Sequence, residues 1–218
     1  MIACQGPNSV EYLQKLTETD LSAVRPFRAI NAQVLGHDSF LARTGYTGED
    51  GFEIILPAEA ASDIWGGLMD LGAAACGLGA RDVLRLEAGL LLHGNDMDTS
   101  INPYEAALDK FVDPERDGYV AVQILRNIRD EGPSRKLAAF SMIGRGIPRH
   151  GYAISDGQNA IGEVSSGGPS PTLDMNIGMG YVPIEYSTLG STIFIEIRGR
   201  PVEAKVTTLP FYTRRRNA

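Results

Sequence analysis

The first half of the chain mixes two periodicities, helical in some stretches and alternating in others. Ile2-Ala3-Cys4-Gln5-Gly6-Pro7 has the character of a strand end. Asn8 with Glu11 predicts a capping box opening a helix whose Val10, Leu13 and Leu16 share one face. Residues 29–35 and 39–43, separated by Gly36-His37-Asp38, predict a hairpin, and residues 51–56 a further strand, with the loop 44–50 before it. From Ser62, Ile64, Leu68 and Leu71 recur at helical spacing, and the Gly-rich stretch 72–79 ends that helix. Gly79-Ala80-Arg81 opens the next helix. There Val83, Leu86 and Leu90 form the expected buried stripe, while Arg81 and Arg85, four apart, project together from another face that can serve an anion.

The second half reads differently. Asn102-Pro103-Tyr104-Glu105 combines a cap residue, a proline at the first helical position and a glutamate three residues after the cap, so a short helix is expected. Another, with Val122, Leu125 and Ile128 inward, should end near Gly132-Pro133. Period-two strands follow at 136–142, 151–154, 162–166, 177–182, 192–197 and 200–207, a spacing that suggests a small closed barrel. The predicted class is therefore α+β, with a mixed or antiparallel sheet and packed helices over 1–134 and a small β-barrel over 135–218.

Composition narrows the function classes. With 218 residues, 43% of them hydrophobic, the chain can bury one large or two small cores. A formal net charge of -7 opposes general binding to a phosphate backbone, and the only basic run, Arg214 to Arg216, has the character of a solvated tail. Cys4 and Cys76 match no metal-ligand spacing and are expected to be reduced and structural; no metal site is expected. Neither a leader nor a membrane-spanning apolar run is evident, so a soluble, intracellular protein is expected.

Candidate chemistry concentrates in Arg43-Thr44-Gly45-Tyr46-Thr47-Gly48-Glu49-Asp50-Gly51-Phe52-Glu53, where three glycines permit tight backbone around polar and aromatic groups. This run, together with Ala80-Arg81-Asp82-Val83-Leu84-Arg85-Leu86-Glu87-Ala88-Gly89, His93-Gly94-Asn95-Asp96-Met97, Gly146-Ile147-Pro148-Arg149-His150-Gly151 and Ser165 through Leu173, resembles the aminomethyltransferase family, the T-proteins of the glycine cleavage system, in their C-terminal portion. The resemblance extends from Gln5-Gly6-Pro7 to Pro210-Phe211-Tyr212.

The resemblance implies a transferase that takes the aminomethyl group from the lipoyl arm of the H-protein, gives its methylene to tetrahydrofolate and releases ammonia, in the cytoplasm or, in a eukaryote, the mitochondrial matrix. It implies that Glu53 accepts hydrogen bonds from the pterin, that Arg81 holds the folate's polar tail, that Tyr46 lines the pterin slot and that Arg214 lies near the tail. His150 and the run Gly167 to Pro171 fit turns and strand connections and receive no catalytic role. In the family a further N-terminal segment precedes the point corresponding to Met1 and holds the catalytic aspartate. Asp50, Asp82, Asp96 and Asp98 do not lie in that aspartate's motif, so no catalytic residue is assigned. A segment or second chain completing the fold is an expected partner. Two other readings share these residues: a non-catalytic folate-binding or assembly module, and the folate-binding tail of a demethylating amine oxidase, whose flavin would have to sit on another polypeptide because no dinucleotide fingerprint is present.

Overall fold

The structure is a computed structural model and describes residues 1–214; Arg215 and Arg216 of the basic run lie outside the described residues. The chain divides into Met1–Leu90, joined by the stretch from Thr213, and Leu91–Tyr212.

In the first unit four antiparallel strands form one sheet in the order β1 (Ile2–Gln5), β4 (Gly51–Ile55), β3 (His37–Ala42), β2 (Ala29–Val34). Side chains alternate between faces along each strand. Cys4, Val34, Leu41, Phe52 and Ile54 point to one face, where they pack with Leu13 and Leu16 at the end of α1 (Ser9–Gln14) and with Ile64 and Leu68 of α2 (Ala61–Asp70). The third helix, α3 (Leu78–Glu87), follows the Gly-rich stretch.

Three local expectations change here. The hairpin turn is shorter than the spacing suggested: Leu35 and Gly36 alone make it, both at positive φ, and His37 and Asp38 belong to β3. Two left-handed residues match the twist of the flanking strands, so a two-residue turn suffices. Helix α1 starts where predicted, but the Asn8 side chain makes no capping hydrogen bond. Third, Arg85 does not share an outward face with Arg81. It is buried, donates to the Asp82 carboxylate at 2.7 Å and to the Leu90 carbonyl at 3.3 Å, and so ties the last turn of α3 together.

In the second unit β5 (Arg135–Met142), β6 (Ala153–Ser155), β7 (Ala160–Ser170), β8 (Met175–Pro183), β9 (Thr192–Ile197) and β10 (Arg200–Thr207) close into a barrel in the order β10-β5-β8-β7-β6-β9. Its interior is filled by Phe140, Ile154, Val164, Ile193, Ile195 and Val206. The run Gly167 to Ser170, expected as a connection, is the second half of β7, paired with β8. Glycine is needed there for room rather than for turning: a Cβ on Gly167 would lie 2.8 Å from the Pro148 carbonyl oxygen.

Before the barrel, Asn102 makes the predicted capping box: its Oδ1 accepts from the Tyr104 and Glu105 amides, and Glu105 Oε2 accepts from the Asn102 amide, each at 3.0 Å. Only one turn follows, because Ala107 enters the left-handed region at φ 56°. Helix α4 (Val122–Glu131) ends at Gly132 as expected, although its inward residues are only half-buried. Among the described residues no helix is long and apolar enough to cross a membrane.

Candidate functional site

The segment Arg43–Glu53 organises the first unit's polar chemistry. It leaves β3, turns through three glycines and re-enters the sheet as β4, and its two ends are strapped together. The Arg43 guanidinium donates to both oxygens of Asp50, Nε to Oδ1 at 3.1 Å and Nη2 to Oδ2 at 2.6 Å. Arg43 Nη1 also reaches the Val24 carbonyl at 2.7 Å, and its guanidinium lies 5.7 Å from the Phe52 ring centroid. Bidentate geometry of this kind fixes direction as well as distance. The Asp50 carbonyl in turn accepts from the Gly6 amide at 2.8 Å and the Ser9 hydroxyl at 3.1 Å, so the closing end of the loop is tied to the start of α1.

The hydrogen bonds from Arg43 hold the Asp50 carboxyl below the usual carboxylate range, with Arg214 Nη1 adding its charge from 3.9 Å. A depressed folded value stabilises the fold above the ordinary carboxylate pKa and loses that stabilisation as pH falls through the folded value. Asp50→Asn should therefore lower the thermal midpoint at neutral pH, and the gap to the parent should shrink as pH falls from about 5 toward about 2. A gap of constant size across that range would show that the Asp50 charge is not what straps the loop.

The glycines follow from close approaches. Gly48 has φ +77°, and a Cβ there would lie 2.6 Å from the Ala88 Cβ just after α3. A Cβ on Gly51 would lie 2.6 Å from the Cys4 carbonyl oxygen, and one on Gly45 would overlap the Gln5 side-chain amide. Ala88 and Gln5 thus set the loop's height and its inner wall.

This framework places the four residues singled out in the sequence on or against one segment. Tyr46 is in the loop, and the Arg81 guanidinium stands 5.0 Å from its ring centroid, a cation–π distance. Asp82, adjacent in sequence, is turned to Arg85, so it does not neutralise Arg81. Arg214 reaches Asp50, at the loop's closing end. Glu53 lies beyond it on β4, on the face that the helices do not cover. The pairing places Ala3, Glu53, Ala42 and Ala29 in one row across all four strands. Glu53 is half-buried between the methyl groups of Ala3 and Ala42 and makes no side-chain hydrogen bond or ion pair among the described residues. Phe40 and Ile55, a cross-strand pair on the same face, are 42% and 51% exposed.

Arg81 also lines a largely apolar cleft of about 590 Å3 beside the β1 edge, with Tyr12, Trp65, Leu68, Met69 and Leu84. Cys76, also on that cleft, is exposed, so the packed role expected for it does not hold; Cys4 is buried and its thiol is pushed up by burial. Both cysteines are free, and no group of three metal-ligating side chains is gathered among the described residues.

In the second unit the structure joins two motifs that pattern reading kept apart. Asp96, fully buried, accepts from the Ser165 hydroxyl at 2.5 Å, the Ser166 hydroxyl at 2.9 Å and the Leu92 amide at 2.8 Å, while the Tyr181 hydroxyl donates to its carbonyl at 2.7 Å. The His93–Met97 segment is thereby fastened to β7 and β8. His150 Nδ1 stands 2.9 Å from the Ser165 carbonyl, a structural contact. Neither Asp96 nor Gln5 has a role that its sequence neighbourhood assigns. A lone aspartate or glutamine carries no sequence signal for what it grips; only the register of distant strands does.

An antiparallel sheet backed by helices, with a six-stranded closed barrel beside it in sequence, defines the class of protein. Residues 1–116 match the GCVT N-terminal domain and residues 135–213 the glycine cleavage T-protein C-terminal barrel domain, and the chain belongs to the glycine cleavage T-protein family. It is 44% identical over 214 residues to an aminomethyltransferase of a Picosynechococcus strain, covering 97% of this chain and 59% of that one. With the aminomethyltransferase of Rubrobacter xylanophilus the identity is 46% over 219 residues, covering 100% and 58%. The crystal structure of the glycine cleavage system aminomethyltransferase T from Bartonella henselae superposes with a TM-score of 0.77 at 26% identity, covering 96% of this chain and 83% of that one. The chain thus spans under two thirds of the length of the curated relatives it matches.

Proposed function

We propose that this chain supplies the folate-holding part of an aminomethyltransferase, acting on tetrahydrofolate and on the aminomethyl-lipoyl arm of an H-protein in the cytoplasm. The observation behind the reading is Glu53, a half-buried carboxylate set between Ala3 and Ala42 on an uncovered sheet face, with no side-chain hydrogen bond or ion pair among the described residues. A carboxylate offers two acceptors side by side, and the pterin ring offers a ring N–H and an exocyclic amine spaced to meet them. The alanine row leaves room for the flat ring to lie close. Arg81, held on the Tyr46 ring and making no ion pair with a carboxylate among the described residues, can pair with the anionic tail. Arg214, with its charge beside Asp50, adds positive potential at the same segment.

Tetrahydrofolate supplies two nucleophilic nitrogens that take the methylene. In the balanced transfer the carbon–sulfur bond to the lipoyl arm and the carbon–amine bond break. Two carbon–nitrogen bonds form to the folate, and the two protons lost from its nitrogens leave with the ammonia and the freed thiol. The residues of this chain bind and orient. Fixing the pterin edge at Glu53 and the tail at Arg81 sets the reacting nitrogens at one place, so acceleration from this part of the enzyme is chiefly positional.

Calorimetric titration of the 218-residue chain with tetrahydrofolate, followed by a transfer assay with lipoylated H-protein, tests the reading. Saturable binding is expected. If the parent does not bind, or if a Glu53→Ala/Arg81→Ala double variant binds as the parent does, the folate assignment is wrong. Binding without turnover would limit this chain to holding the folate.

A further inference from the structure

We propose that Gln5 is a positioning residue that sets the Tyr46 loop for the folate tail, an inference that rests on the folate reading for its consequence but not for its geometry. The Gln5 side chain spans the base of the loop. Its Nε2 donates to the Thr44 carbonyl at 3.1 Å and to the Phe52 carbonyl at 3.3 Å, and its Oε1 accepts from the Thr47 hydroxyl at 3.3 Å. Thr47, itself buried, passes the constraint onward by accepting from the Glu49 amide at 3.3 Å. One amide therefore holds the loop where it leaves the sheet, where it returns, and next to Tyr46.

The chemistry singles out an amide. Alanine holds nothing, and glutamate of the same size would turn a carboxylate oxygen toward two carbonyl oxygens, replacing two attractions by repulsion. Gly45 and Gly51 belong to the same device. A Cβ on Gly45 would overlap the Gln5 amide, whereas one on Gly51 would meet the Cys4 backbone as well. Gly45 shows no positive φ, so alanine is tolerated there by the backbone and excluded chiefly by Gln5. The loop sequence and the strand residue thus form a matched pair. Its output is the stacking of Arg81 on Tyr46, which depends on where the loop carries that ring.

The test uses Gln5→Glu, Gln5→Ala, Gly45→Ala and the Gln5→Ala/Gly45→Ala double variant, with Glu53→Ala and Arg81→Ala alongside. Gln5→Glu and Gly45→Ala should each weaken tetrahydrofolate binding about tenfold, equivalent to about 1.4 kcal/mol. Amides 44–52 should exchange hydrogen faster, while those of β2 keep their parent rates. The double variant should be no worse than Gln5→Ala, because removing the amide frees the space that the new methyl needs. Parent-like exchange in Gln5→Glu, or losses at Gln5 and Gly45 that simply add, would overturn the inference. So would weakening by Glu53→Ala or Arg81→Ala with none by Gln5→Glu. If Glu53→Ala and Arg81→Ala are also silent, it is the folate reading that has failed, and the exchange rates and the double variant still decide the brace.

Discussion

Asp96→Ala is expected to lower the stability of the Leu91–Tyr212 unit by about 3 kcal/mol or more. The carboxylate is fully buried and accepts from two serine hydroxyls and the Leu92 amide, so its removal takes one acceptor from all three at once, although the Ser165 hydroxyl keeps the Met179 carbonyl at 3.2 Å. Each buried donor left without a partner costs about 1–3 kcal/mol. Asp96→Asn should cost less, because the serine hydroxyls can rotate to accept from the new amine while its oxygen keeps one donor. Adding Ser165→Ala and Ser166→Ala to Asp96→Ala should restore part of the loss, since removing both sides of a buried hydrogen bond is far milder than removing one. Urea unfolding followed by far-ultraviolet circular dichroism measures all three. An Asp96→Ala midpoint equal to the parent's would mean that the His93–Met97 segment is not fastened through this side chain.

This network also shows where sequence reading stops. The strands and helices were legible because each is a local periodicity: Leu13 and Leu16, Ile64 and Leu68, and the alternating barrel segments declare their faces within a few residues. The barrel could be inferred from regular strand spacing alone. What could not be inferred was register. Asp96 and Ser165 are sixty-nine residues apart, and nothing in either motif says that one grips the other. The same holds for Gln5 and Gly45, and for the alanine row around Glu53, which exists only because β4 lies between β1 and β3.

The errors have the same origin. Pairing Arg81 with Arg85 on one exposed face followed from four-residue spacing, but spacing cannot tell which of two neighbours on a helix turns inward to close its last turn. Arg85 does so, through Asp82 and the Leu90 carbonyl. The Gly167–Ser170 run looked like a connection because glycine and proline punctuate chains. In a closed barrel glycine is also what lets another backbone come near, and only the neighbouring Pro148 carbonyl distinguishes the two. Residue types in the Arg43–Glu53 segment were more informative, since a loop with glycines at 45, 48 and 51 must pass close to something.

The other large effect belongs to Glu53, and it can be separated from that of Arg81 by choice of ligand. Two hydrogen bonds to an ionised carboxylate are each worth about 1.5–3 kcal/mol, so Glu53→Ala should weaken tetrahydrofolate binding about a hundredfold or more. Glu53→Gln keeps the volume but turns an amine toward the pterin's donors, and should recover only part of that loss. The Glu53 loss should be equally large for a bare tetrahydropterin, which has the ring and no tail. Arg81→Ala should weaken tetrahydrofolate about tenfold and leave the tetrahydropterin unaffected, because its guanidinium has only the tail to pair with. Arg81→Lys should not rescue it fully, since an ammonium cannot present the planar fork that both stacks on Tyr46 and pairs with a carboxylate. If Arg81→Ala weakened both ligands alike, its role would be to hold the Tyr46 ring in place. The loop's architecture would then serve the pterin rather than the tail, and Gln5, Tyr46 and Arg81 would form one support for the group that Glu53 reads.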